Sequence, residues 1–331
     1  MISVLLGAEC RADGVADFYK GKTIMLMVGY SAGGTYDVTA RILARHMSQY
    51  IPGHPNIVVT NEPGAGSLSL ANRLYNVGAR DGTQFALIGR GMASEPLIGT
   101  SDAMFDARKF SWLGSAANEV SLCVTYGNSP VKTWQDALAK PFTVGGNGSG
   151  SDPDVFSNVL RNLFGAQDRL VSGYPGTAEL SLAMERGELD GRCGWSWTSI
   201  KAEKGAWLED GKLNLIVQLA LAKAPDLPNV PLLMDEAQND EQKQILKLVF
   251  SRQVLGRPFV APPGIPADRK EALRTAFDRT MNDADFRAEA QKNGIEINPV
   301  SGADMESLIS ELYQLPNDVI AKARGAVGAS H

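Results

Sequence analysis

Two short stretches have the lettering of catalytic loops, and both fail at the positions that would do the work. Gly21-Lys22-Thr23 ends like a phosphate-binding loop, but the first glycine such a loop needs would stand at Ala16, and the stretch precedes a strand instead of a helix. Gly194-Trp195-Ser196-Trp197-Thr198 frames a serine like a nucleophile elbow until Thr198, where glycine is required. Downstream of that serine the only histidine is His331. His46 falls on a helix pattern and His54 in a Pro-Gly-His-Pro turn, both suited to the surface. Cys10, Cys123 and Cys193 have no CxxC spacing, so no zinc site is expected. No G-x-G-x-x-G follows the first strand, which disfavours a dinucleotide. The expectation is a chain with no catalytic residue, no metal and no cofactor.

What remains is a set of four glycine-rich turns, each placed after a strand and before a helix: YSAGGTYD from Tyr30, NEPGAGS from Asn61, GGNGSGSD from Gly145 and GYPGTAE from Gly173. A helix N-terminus offers unpaired N–H groups and the positive end of the helix dipole, which together suit a carboxylate. Each dipole contributes about 0.3 to 1 kcal/mol at exposed sites. Two or three converging ends with their hydrogen bonds suffice for a micromolar complex, roughly 8 kcal/mol, without any arginine. The plainer reading is that glycine only turns the chain after each strand. Asp37 has a sufficient structural role in the first helical turn, and a ligand contact is its alternative.

The elements that must position these turns follow from periodicity. KTIMLMVGY reads as a strand, and TYDVTARILARHMSQY as a helix with Val38, Ile42, Leu43 and Met47 on one face. NIVVTN, SLSLANRLYNV and QFALIG continue the alternation, which implies a parallel sheet. FTVGG with PDVFSNVLRNLF, RLVSGYPG with TAELSLAMERGELDG, LNLIVQLAL and EQKQILKLVF make a second α/β lobe. Two β-rich segments, SLCVTYGNSP and QVLGRPFVAPP, flank that lobe and are candidates to carry the chain across. The expected class is a two-lobed α/β fold, each lobe a mostly parallel sheet flanked by helices. Lobe 1 is expected at 20–122 plus 257–331 and lobe 2 at 123–256, with a closing cleft between them.

Length and charge set the outer bounds. The chain has 331 residues, enough for about two domains. Its 32 Lys+Arg against 37 Asp+Glu leave a net charge of −5, so no nucleic-acid partner is expected. No apolar run approaches the ~20 residues a spanning helix needs. Residues 1–19 read as a signal-peptide remnant and N-terminal arm. The apolar run Met1–Ala8 lacks the positive region before it, cleavage after Ala12 fits loosely, and Glu9 disfavours lipidation at Cys10. A frayed cytosolic N-terminus is the alternative. Export would put Cys123 and Cys193 in an oxidising compartment, and their spacing does not say whether they pair.

YSAGGTYDVTAR at Tyr30–Arg41, followed by NEPGAGS at Asn61–Ser67, resembles the solute receptors of tripartite tricarboxylate transporters, the Bug-type or TctC-like periplasmic binding proteins. GNGSGS, GYPGTAE, DLPNVP at Asp226–Pro231 and FVAPPGIPAD at Phe259–Asp268 fall in the family's order. The resemblance implies a periplasmic flytrap, expected as a monomer, that delivers an organic carboxylate to membrane permease subunits. It implies ligand contacts at Tyr30, Ser31, Ala32, Gly33 and Asp37 in the first loop and at Gly64, Ala65, Gly66 and Ser67 in the second. The opposite lobe would add Asn147, Ser149, Gly150, Ser151, Tyr174 and Gly176.

The chain departs from the family pattern at Gly29 and Ala32, where prolines are common, at Ser67, where glycine is common, and at Pro175, which replaces a lysine. Trp195 and Trp197 alternate along a strand and so would share a face, either in the core or toward the cleft with Trp195 against the ligand. The second choice favours a mono- or dicarboxylate with an apolar or aromatic body over citrate. A sensor receptor for a signalling partner is the alternative function, and an α/β enzyme acting on a carboxylate is the third.

Overall fold

The computed structural model describes residues 14–99, 102–148 and 150–328. The signal-peptide reading of residues 1–13, with Cys10, therefore lies outside the described residues, as do Ser149 and His331. Residues 14–19 form a helical arm that buries Val15 and Tyr19 in the first lobe's core.

The strands are β1 (Thr23–Val28), β2 (Asn56–Asn61), β3 (Gln84–Leu87), β4 (Ser111–Ser115), β5 (Ser121–Tyr126), β6 (Phe142–Gly145), β7 (Asp168–Val171), β8 (Gly191–Ser196), β9 (Leu213–Leu219), β10 (Pro258–Ala261) and β11 (Val300–Ser301). They form two sheets, ordered β11-β4-β10-β3-β1-β2 and β7-β6-β8-β5-β9. β4, β5, β8 and β10 are almost wholly buried, which is why they read as continuous apolar or small-residue runs without alternation.

Both sheets are mixed, where mostly parallel sheets were expected. β1 pairs in parallel with β2 and β3, and β6 with β7 and β8. β10 runs antiparallel to β3 and β4, and β5 antiparallel to β8 and β9. The reason is geometric: β5 and β10 are the strands by which the chain enters each sheet from the other lobe, so they arrive pointing the opposite way. These are the two segments singled out in the sequence. Cys123 on β5 and Cys193 on β8 form a disulfide between neighbouring strands.

The C-terminal helix Asn317–Val327 departs from the expected division of the chain. Its apolar stripe of Ile320, Ala323, Ala326 and Val327 belongs to the core of the second lobe. There it packs against helices Asp152–Phe164 and Asp240–Phe250, and Asn158 and Asn162 donate to its last carbonyls at 2.7 and 3.0 Å. The stripe is too apolar to leave in water, and the groove between those helices is where the chain's end can bury it.

Candidate functional site

Four helices begin where the two lobes meet. Helix Thr35–Met47 follows β1, helix Asp152–Phe164 follows β6, helix Thr177–Glu185 follows β7 and helix Trp197–Glu209 follows β8. Their N-cap residues Gly34, Ser151, Gly176 and Ser196 make no side-chain capping bond, and of the first helical N–H groups Thr35 donates to Glu203 and Trp197 to Val120 carbonyl. Pro153 sits in the first turn of its helix, where its missing N–H costs nothing. The four ends border one cavity of about 40 Å³, lined among others by Ser31, Gly34, Thr35, Tyr36, Ser151, Thr177, Ser196 and Ser199. That is room for a few waters, so the lobes stand closed.

The closed state is held by contacts across the cleft. Gly66 N–H donates to Asn147 carbonyl at 3.0 Å, and Ser31 Oγ donates to Glu179 at 3.1 Å. Glu203 of the second lobe accepts from Thr35 N–H at 2.7 Å and from the Thr35 hydroxyl, so a protein carboxylate caps helix 35–47. Burial raises the pKa of Glu203, although its bonds to Thr35 and the charges of Arg192 and Arg257 oppose this.

Four buried arginines surround the site. Arg90 bonds Asp152 and the Ser121 hydroxyl, and Arg252 bonds Asp152 at 3.1 Å and Gly150 carbonyl at 3.0 Å. Arg257 pairs with Glu119; burial pushes this carboxyl up, but Arg257, Arg90 and the hydroxyls of Ser196 and Thr198 outweigh it and hold its pKa low. Arg192, on β8, has among the described residues the Thr177 hydroxyl at 3.1 Å as its hydrogen-bond partner and lies 5.4 Å from the Trp195 ring centroid. Burial draws its pKa down to about 10, so it remains protonated at neutral pH.

Of the residues singled out in the sequence, Tyr30, Ser31, Asn147, Gly150, Ser151 and Trp195 line the cavity. Tyr30 packs on Tyr36 with ring centroids 4.7 Å apart, and Asn147 braces the loop by donating to Tyr174 carbonyl at 2.9 Å. Ala32 and Gly33 do not line the cavity, and Gly33 borders an outer groove instead. Asp37 turns away from it to accept from Gly33 N–H, Arg41 and Asn61; burial raises its pKa, but these bonds win and lower it. Asp37 thus braces the first loop. Gly64, Ala65, Gly66 and Ser67 also stand outside the lining, because the second loop docks on the 146–151 loop of the other lobe. Tyr174 and Gly176 do not line the cavity, Gly176 being the N-cap of the helix that starts at Thr177.

Trp195 and Trp197 belong to one hydrophobic core cluster, as the first of the two choices had it. β8 ends at Ser196, so Trp197 starts a helix, and its indole donates to Asp226 at 2.8 Å away from the cavity. Sequence reasoning passed over Arg90 and Arg192, having looked for a grip without arginine. The signal for Arg192 was a charged residue inside a strand that is otherwise buried, Gly191-Arg192-Cys193-Gly194-Trp195. Neither His46, bonded to Glu289 at 2.7 Å, nor His54 lines the cavity. Among the described residues no three His, Cys, Asp or Glu side chains gather as a metal site requires.

BugD, a periplasmic binding protein, superposes with a TM-score of 0.74 at 18% identity, over 92% of this chain and 98% of that one. The chain has the fold of the Bug- and TctC-type periplasmic binding proteins. MatC from Rhodopseudomonas palustris with bound malate shares this Bug-type fold at a TM-score of 0.70 and 20% identity, over 92% of this chain and 99% of that one. The UPF0065 protein in the gbd 5′ region of Cupriavidus necator is 26% identical over 325 residues, 95% of this chain and 91% of that protein. No family model matches the chain.

Proposed function

We propose that this chain is an extracytoplasmic solute-binding receptor that captures an organic carboxylate between its lobes and delivers it to a tripartite tricarboxylate-type membrane transporter. The observation that carries this reading is the convergence of four helix N-termini, drawn from both lobes and without capping bonds from their own N-cap side chains, on one interlobe cavity. Such ends favour a negative charge through N–H groups and dipoles alike. Contacts from both lobes make the ligand the stabiliser of the closed form, and that form is what a membrane partner would recognise. The malate bound to MatC supports a carboxylate, and the Cys123–Cys193 disulfide fits an oxidising compartment such as the periplasm. Among the described residues no histidine lines the cavity, which supports binding without turnover.

A thermal-shift screen of mono-, di- and tricarboxylates and aromatic acids tests the reading. An acid supplied at 100 times its Kd should add about 2.7 kcal/mol of stability. A protein whose melting point no carboxylate moves is not this receptor.

A further inference from the structure

Resting on the carboxylate-receptor reading, we infer that Arg192, Thr177 and Trp195 form a second anionic subsite in the second lobe, which takes the far carboxylate of a short dicarboxylate. Three observations carry this. Arg192 is 7% exposed and lines the cavity, and its Nε has no partner among the described residues. Among the described residues no carboxylate lies within ion-pair reach of it, whereas Arg90, Arg252 and Arg257 each have one. Trp195, 1% exposed and also lining the cavity, has an indole N–H with no partner among the described residues, and the guanidinium lies 5.4 Å from its ring centroid.

Every group that faces Arg192 is already engaged. Asp152 is divided between Arg90 and Arg252, and Glu203 is committed to Thr35. The Tyr30 hydroxyl donates to Gly66 carbonyl at 3.4 Å, and Arg90 only repels. A buried guanidinium without a counterion is costly, and removing such a charge from water is repaid only by a well-placed anion. An incoming carboxylate would find the planar fork of Arg192, the Thr177 N-terminus of its helix and the Trp195 N–H together. The first carboxylate would sit opposite, where the loop of Tyr30, Ser31 and Gly34 begins helix 35–47. Two anion anchors across so small a cavity call for a compact dianion. They leave no place for an aromatic body, since the Trp195 ring is packed in the core.

The test is titration calorimetry on the full chain with propanedioate, butanedioate, pentanedioate and hexanedioate, each against its monomethyl ester, which keeps the length and removes one charge. The wild type should prefer its best diacid over the matching ester by about thirty-fold or more, as expected for hydrogen bonds to a charged group. Arg192→Gln should cut that preference to within about three-fold while changing ester affinity little, and Arg192→Lys should fall between. If Arg192→Gln does not fold, the wild-type comparison and Arg192→Lys decide the matter. A wild type that binds ester and diacid equally, or an Arg192→Gln protein that keeps the preference, overturns the subsite alone. Binding of no acid or ester overturns the subsite and the receptor reading together.

Discussion

Two sets of buried arginines, a few residues apart in the fold, are treated in opposite ways. Around the segments that cross between lobes, Arg257 is locked to Glu119 while Arg90 and Arg252 share Asp152. On β8, lining the cavity, Arg192 has among the described residues one hydrogen-bond partner, the Thr177 hydroxyl. The first set completes itself and can only hold the lobes in place. The second is complete only when something else arrives. The difference lies in whether, among the described residues, the chain itself supplies a carboxylate.

Breaking the completed set should have the largest effect. Glu119→Ala leaves Arg257 buried beside no carboxylate and should cost about 3–5 kcal/mol in urea unfolding. A loss well under that would mean the pair is not holding the crossing segments.

Gly66→Val should come next, because a Cβ there meets Ser151 Cβ at 2.7 Å and Ser151 N at 2.9 Å, across the cleft. Closure is then blocked, and ligand affinity should fall on the order of a hundred-fold while the lobes stay folded. Gly33→Val is the control that sharpens the contrast. Gly33 also has positive φ, at 89°, but its Cβ would meet nothing within 4 Å. It should lose about 1 kcal/mol of stability through backbone strain and much less affinity than Gly66→Val. Equal losses of affinity would place the ligand against the first loop's glycine after all.

Arg192→Gln should have the opposite sign to Glu119→Ala. Removing a buried charge that has no counterion should leave the ligand-free protein as stable as before or up to about 2 kcal/mol more stable. A clear loss of ligand-free stability would show that Arg192 is already satisfied.

The smallest effect concerns Glu203. Its pKa is raised in the closed form, so that form binds a proton more readily than the open one. Closure without ligand should therefore strengthen as pH falls from above the raised value toward the ordinary carboxylate range, and weaken as pH rises through it. Fluorescence transfer between labelled lobes would follow this, and Glu203→Gln should flatten the response. A closure that strengthens with rising pH contradicts the assignment.

The strands, the glycine turns and the two crossing segments were legible because each rests on local pattern: apolar runs, helix periodicity and a glycine after a strand. Three of the four turns reach the cavity. The turn at Asn61–Ser67 does not, because which neighbour a loop meets depends on how the lobes close, and no local pattern carries that. Trp197 joins Trp195 in one core cluster although β8 ends at Ser196 and Trp197 already starts a helix. The C-terminal helix was assigned to the lobe from which its chain emerges, while its apolar stripe is buried in the other. Arg192 was passed over because the search for anion grips stayed in the loops, and the chain kept its free charge inside a strand.

Closure of the lobes around a carboxylate is measured most directly by small-angle scattering with and without a saturating dicarboxylate. The wild type should become more compact on adding the acid, and Gly66→Val should keep its ligand-free dimensions under the same conditions. Identical wild-type dimensions with and without an acid that calorimetry shows to be bound would contradict the account.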